Sequence, residues 1–156
     1  MPATVQMSRG WGSCQILVPR SPDVVFDYVA DLRHMTIWWP EHRSYHRLRG
    51  DGGRGAVYAW TSNSIGVVPL PGLTFVTGCE GKSRFSYRVV APGLILQMSY
   101  RFTAAEGGTH VALETRSPML RSKLLQRRFS EELARALDRL AATLAPPARL
   151  AEPGIP

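Results

Sequence analysis

Near the C-terminal end of this 156-residue chain, Leu125, Phe129, Leu133, Leu137, Leu140 and Leu144 recur at intervals of three and four. Side chains so spaced stack on one side of a helix, so the pattern predicts a single long amphipathic helix over Met119 to Leu144. Arg128, Glu131, Arg135, Asp138 and Arg139 fall mostly on the opposite face. A helix with one apolar stripe has to bury it against another layer. The rest of the chain supplies that layer almost entirely as strands, so any function belongs in the gap between sheet and helix.

The strands announce themselves by alternation. Cys14, Ile16 and Val18 share one face of a strand over Gly12 to Val18. Ser21-Pro22-Asp23 then starts a short helix. Ser21 can cap the free backbone donors, Pro22 suits the first helical position, and Asp23 complements the dipole. Val25, Phe26, Val29 and Leu32 form its buried face to about Asp31, and His34 to Trp39 make a second short turn stopped by Pro40. From His42 onward strands and tight turns follow each other. Tyr58 and Trp60 share a face, as do Phe85, Tyr87 and Val89, then Leu94, Leu96, Met98, Tyr100 and Phe102, then Val111, Leu113 and Thr115. Leu73 to Glu80 reads as a strand, whereas Gly66 to Gly72, with Pro69 and Pro71, reads as a loop or lid. Each strand has one polar and one apolar face, which describes a sheet covered on one side. The predicted fold is therefore α+β: a curved antiparallel sheet of about seven strands wrapped round the long helix. Residues 1–10 are expected to be a flexible N-terminus, residues 11–145 one domain, and residues 146–156 a disordered proline-rich tail.

No apolar run is long enough to span a bilayer. MPATVQMSRG has no apolar core of a secretory signal, and Cys14 and Cys79 show no ligand or CxxC spacing. Two reduced thiols in a cytoplasmic protein are expected. The net charge is +7, almost all from arginine. The arginines are scattered without the aromatic interleaving of a nucleic-acid module, so no nucleic acid is expected. Composition bias accounts for that charge, with an acidic partner, an anionic ligand or peripheral contact with an anionic membrane as the alternatives.

Three stretches, VPRSPDVVFDYVADLRHMTIWWP (18–40), LRGDGGRGAVYAW (48–60) and YRFTAAEGGTHVALET (100–115), in this order resemble the START-like, helix-grip superfamily. The resemblance is to its bacterial polyketide cyclase/dehydrase and lipid-transport branch and covers about residues 12–145. It implies a sheet folded round the C-terminal helix and a deep, largely apolar cavity. Members bind sterols, lipids, quinones, plant hormones or polyketide intermediates, and some catalyse cyclisation and dehydration. The Tyr/Pro-rich segment of the ubiquinone-binding branch is not matched by His34-Met35-Thr36-Ile37.

No compact catalytic signature is present: no HExxH, no Gly-x-Ser-x-Gly, no P-loop. Nothing calls for a metal, nucleotide or flavin. His42 and His46 are four apart but lie at a strand entry and have no third ligand, and His110 falls on an outward face. Polar-tipped aromatics on the concave face are the better candidates, because their rings wall a cavity while their tips offer hydrogen bonds. Tyr87 and Tyr100 are the catalytic candidates. Trp38, Tyr58, Trp60, Phe75, Phe85, Met98, Phe102, Leu113, Phe129 and Leu133 are the cavity candidates, with one of Trp38 and Trp39 in the core and the other at the mouth. Arg88, Arg101, Glu114 and Arg116 alternate out of phase and belong on the solvent face. The expected partner is an apolar small molecule, and the protein a monomer or homodimer. Two functions follow: cyclisation or dehydration of a polyketide-type or aromatic intermediate, or non-catalytic carriage of a lipid, quinone or similar metabolite.

Overall fold

The computed structural model describes residues 2–63 and 69–147. Eight antiparallel strands form one sheet in the order β1-β2-β8-β7-β6-β5-β4-β3. They are β1 (Thr4–Ser8), β2 (Trp11–Val18), β3 (His42–Arg49), β4 (Val57–Ser62), β5 (Leu70–Glu80), β6 (Arg84–Ala91), β7 (Leu94–Ala105) and β8 (Gly108–Arg116). Strands β3 to β8 run as a meander, while β2 pairs with β8 at the other end. The chain crosses from β2 to β3 through α1 (Pro22–Ala30), a 3-10 turn (Leu32–His34) and α2 (Met35–Trp38). A second 3-10 turn (Pro118–Arg121) leads into α3 (Lys123–Leu144). No helix among the described residues is long and apolar enough to cross a membrane.

Residues Thr4–Ser8, expected to be loose, instead form an edge strand. Each pairs with β2, from Thr4 opposite Gln15 to Ser8 opposite Trp11. This eighth strand has only five residues, too few for its alternation to stand out from a polar terminus. Residues 66–68 of the expected loop lie outside the described residues, but Leu70, Pro71 and Gly72 are strand, paired with Ser62, Thr61 and Trp60. Pro71 points outward there and is exposed. Ser21 occupies the N-cap position of α1, yet its side chain makes no capping bond; its carbonyl accepts from Val25 N at 3.1 Å. The long helix starts at Lys123, four residues after the expected Met119, which lies in the preceding 3-10 turn. Ser122 is its N-cap, its hydroxyl accepting from Leu125 N at 3.4 Å.

The stripe on α3 buries Phe129, Leu133, Ala136, Leu137 and Leu140. Each large apolar side chain removed from water contributes about 1.5–3 kcal/mol, so this one face is a major share of the core's cohesion. α3 packs chiefly on β1 and β2, with α2 alongside. At the other end of the molecule, Phe26 of α1 meets Phe85 and Phe102 edge-on at 6.4 and 5.4 Å. α1 covers only the far end of β6 and β7, and α2 only the start of β3, so space remains on the concave surface beside the first half of α3.

Candidate functional site

A cavity of about 240 Å³ lies between the first half of α3 and the concave faces of β3 to β7. Its walls are largely apolar: Met35, Trp39, Trp60, Val89, Leu96, Met98, Met119 and Phe129. Polarity comes from His42, Tyr45, Ser62, Tyr87, Arg128 and Glu132.

His42 stands at the centre of an aromatic frame. Its ring meets Trp39 at 5.8 Å, Tyr45 at 5.3 Å and Trp60 at 5.3 Å, each edge to face. Its Nδ1 is buried and has no hydrogen-bond partner among the described residues, and neither has Nε1 of Trp60. Burial in this frame pulls the imidazole down to about 4, so it is neutral at physiological pH. The backbone explains how a histidine comes to face inward here. The β3–β4 register shifts between His42 and Ser44, so His42 sits opposite Ser62 and Tyr45 opposite Trp60, both on the concave side. A bulge of this kind re-aims one side chain without disturbing the rest of the strand.

The opposite wall comes from α3. Leu125, Arg128, Phe129 and Glu132 are spaced i, i+3, i+4 and i+7, and so share a face. Glu132 accepts a hydrogen bond from Trp39 Nε1 at 2.7 Å, which fixes the indole across the cavity. Arg128 is exposed and stands at the mouth, beside Leu125.

The two tyrosines proposed as catalytic differ in position. Tyr87 is on the cavity wall, whereas Tyr100 is absent from it and stands behind, its hydroxyl 3.0 Å from that of Tyr87. Both are fully buried, and burial raises both above the ordinary phenol range. Neither ionises near neutrality, so the pair acts through hydrogen bonds. Tyr45 is similar, its hydroxyl 2.6 Å from Thr74 Oγ1, its acidity likewise suppressed by burial.

Of the predicted cavity residues, Trp60, Met98 and Phe129 line the space together with Tyr87. Trp38, Leu113 and Leu133 belong to the core, and Trp39 takes the wall position instead of Trp38. Phe85 and Phe102 are plugged by Phe26 at the far end. Tyr58 is buried near the β3–β4 turn, away from the cavity. Phe75 is a correction: it is 37% exposed on the convex face. Tyr58 pairs with Thr74 and Trp60 with Gly72, so the inward set on β5 is Gly72, Thr74 and Val76, and Phe75 must point out. Gly72 also makes room for Trp60, since a methyl group there would fall inside the indole ring. His42 and Glu132 were missed for identifiable reasons. A period-two count back from Tyr45 puts His42 outside, and Glu132 sits beside Glu131 at the edge of the apolar stripe, where it reads as one more surface charge.

The sequence matches the family described as "Polyketide cyclase / dehydrase and lipid transport" over residues 4–145. The chain belongs to this family. Among curated proteins, none matches the sequence significantly. Solved structures share the architecture. The Zhui aromatase/cyclase from Streptomyces sp. R1128 is 13% identical, with 90% of this chain and 94% of that one covered and a TM-score of 0.72. Protein Ms6760 from Mycobacterium smegmatis is 18% identical, with 92% and 98% covered and a TM-score of 0.72. Ara h 8.0201 is 14% identical, with 90% and 98% covered and a TM-score of 0.70. At these identities the likeness establishes the helix-grip fold and nothing finer.

Proposed function

We propose that this protein binds a hydrophobic small molecule in the cavity between the sheet and α3, and that the molecule is a polyketide-type or aromatic intermediate which it cyclises or dehydrates. The observation that carries this reading is the composition of the cavity wall. Two indoles frame a neutral imidazole, and a carboxylate and a buried phenol line the same cavity. Flat aromatic walls suit a planar or folded unsaturated substrate, and the polar groups suit its carbonyl and hydroxyl oxygens.

In a cyclisation, a base removes a proton from a carbon between two carbonyls. The carbanion attacks a third carbonyl of the same molecule, and the resulting alkoxide takes up a proton; loss of water then leaves the new double bond. In this reading Glu132 and His42, which line the cavity, handle those protons, and Tyr87 donates a hydrogen bond to a carbonyl oxygen. One observation favours carriage without chemistry. An imidazole pulled down to about 4 is a weak base at neutral pH.

A synthetic aryl poly-β-ketone separates the two. Binding is read by quenching of Trp39 and Trp60 fluorescence, and turnover by mass spectrometry as loss of one water. Binding with water loss that is abolished in Glu132→Gln supports the enzyme. Binding without turnover supports the carrier, and no binding contradicts the polyketide reading.

A further inference from the structure

The convex face of the sheet carries a second polar feature, unconnected with the cavity chemistry. Arg88, Gln97 and Arg116 stand directly opposite one another on β6, β7 and β8. All three point away from the concave core, because their neighbours Val89, Leu96, Met98 and Thr115 point into it. The 3-10 turn after β8 brings Arg121 to the end of this row. The three arginines and Gln97 line a single pocket of about 310 Å³, completed by Gly10, Ile95, Ser117 and Pro118.

The charges in that pocket are poorly compensated. Among the described residues, neither Arg88 nor Arg121 makes an ion pair. Arg116 reaches Glu114 at 3.5 Å, and the same Glu114 oxygen accepts from Trp11 Nε1 at 2.6 Å. The Gln97 amide reaches Thr77 Oγ1 only at 3.5 Å. Strands β6 and β8 are separated by one strand, so their backbones lie about 10 Å apart. Two arginine side chains can close on one small anion over that span, with the Gln97 amide beneath it. Guanidinium groups bind oxyanions through paired N–H donors, and three of them around one pocket repel one another until such a group arrives.

We propose that Arg88, Arg116 and Arg121, with Gln97 between them, form a binding site for a phosphate group. The site adjoins the cavity mouth. Ile95 and Pro118 line the pocket while their chain neighbours Leu94 and Met119 line the cavity. The phosphate can belong to a soluble phosphomonoester or to a lipid headgroup, and the cavity reading stands or falls independently of it.

The test uses the full chain and two probes at matched ionic strength. Inorganic phosphate is titrated by calorimetry, and vesicles containing phosphatidic acid are compared with phosphatidylcholine vesicles by flotation. Arg88→Gln and Arg121→Gln each weaken binding by about tenfold or more. Arg139→Gln, which removes an equal charge from the exposed face of α3, leaves binding unchanged. All three side chains are exposed, so circular dichroism of the variants should match the parent. Arginine-dependent binding of phosphate supports the site and assigns it a soluble ligand; arginine-dependent binding of phosphatidic acid vesicles alone supports it and assigns a headgroup. Failure of both probes, or an equal loss in Arg139→Gln, overturns it.

Discussion

Replacing His42 with phenylalanine should flatten the acid side of this protein's stability profile. In the folded chain burial holds the imidazole near 4, against 6.5 for an unperturbed histidine. Between those values the unfolded chain binds a proton that the folded chain refuses. Stability is therefore fully present above about pH 6.5 and falls as the pH drops towards 4. At pH 4.5 the lost stability from this residue alone is on the order of 2–3 kcal/mol, from the ratio of proton binding in the two states. Phenylalanine keeps a flat ring between Trp39, Tyr45 and Trp60 but cannot titrate. Urea unfolding at pH 7 and pH 4.5, for parent and variant, gives the comparison. The parent should lose roughly 2–3 kcal/mol more than the variant between the two pH values. Equal losses would mean that His42 is solvated in the folded state, and the inward-facing bulge would be wrong.

Three further outcomes follow from the same structure. Tyr87→Phe and Tyr100→Phe should each cost about 1–3 kcal/mol by orphaning the other hydroxyl, while the double variant should cost less than their sum in a denaturation cycle. Gly72→Ala should destabilise the fold by about 1–3 kcal/mol and shift the tryptophan emission, because the new methyl displaces the Trp60 ring. A thiol titration at pH 8 should find Cys79 accessible and Cys14 silent until the protein unfolds, since Cys14 is buried and its thiol is pushed up to about 12.

The architecture was legible wherever a periodic signal ran for several turns or residues. The α3 stripe, the Ser21-Pro22-Asp23 start and the alternation of β6, β7 and β8 all translate into the observed elements. Alternation fails as a guide where its phase is interrupted. The bulge between His42 and Ser44 turns a histidine inward, and the pairing of β5 turns Phe75 outward. Short edge elements such as Thr4–Ser8 carry too few residues to show a period. The site was harder to read, because Tyr87 follows the alternation of its strand whereas His42 comes from a bulge and Glu132 from among the charges of α3. Arg88 and Arg116 were placed on the solvent face, and their convergence with Arg121 depends on pairing across three strands that no local pattern records.

The most direct test of the cavity as a ligand site is native mass spectrometry of the protein purified from its own host, alongside a Val89→Trp variant. Val89 is buried on the cavity wall, so the indole fills space without touching the outer surface. The parent should carry an added mass that extraction releases as an apolar or aromatic small molecule, and the variant, folded by circular dichroism, should lack it. An empty parent, or an added mass that persists in the variant, would contradict the account.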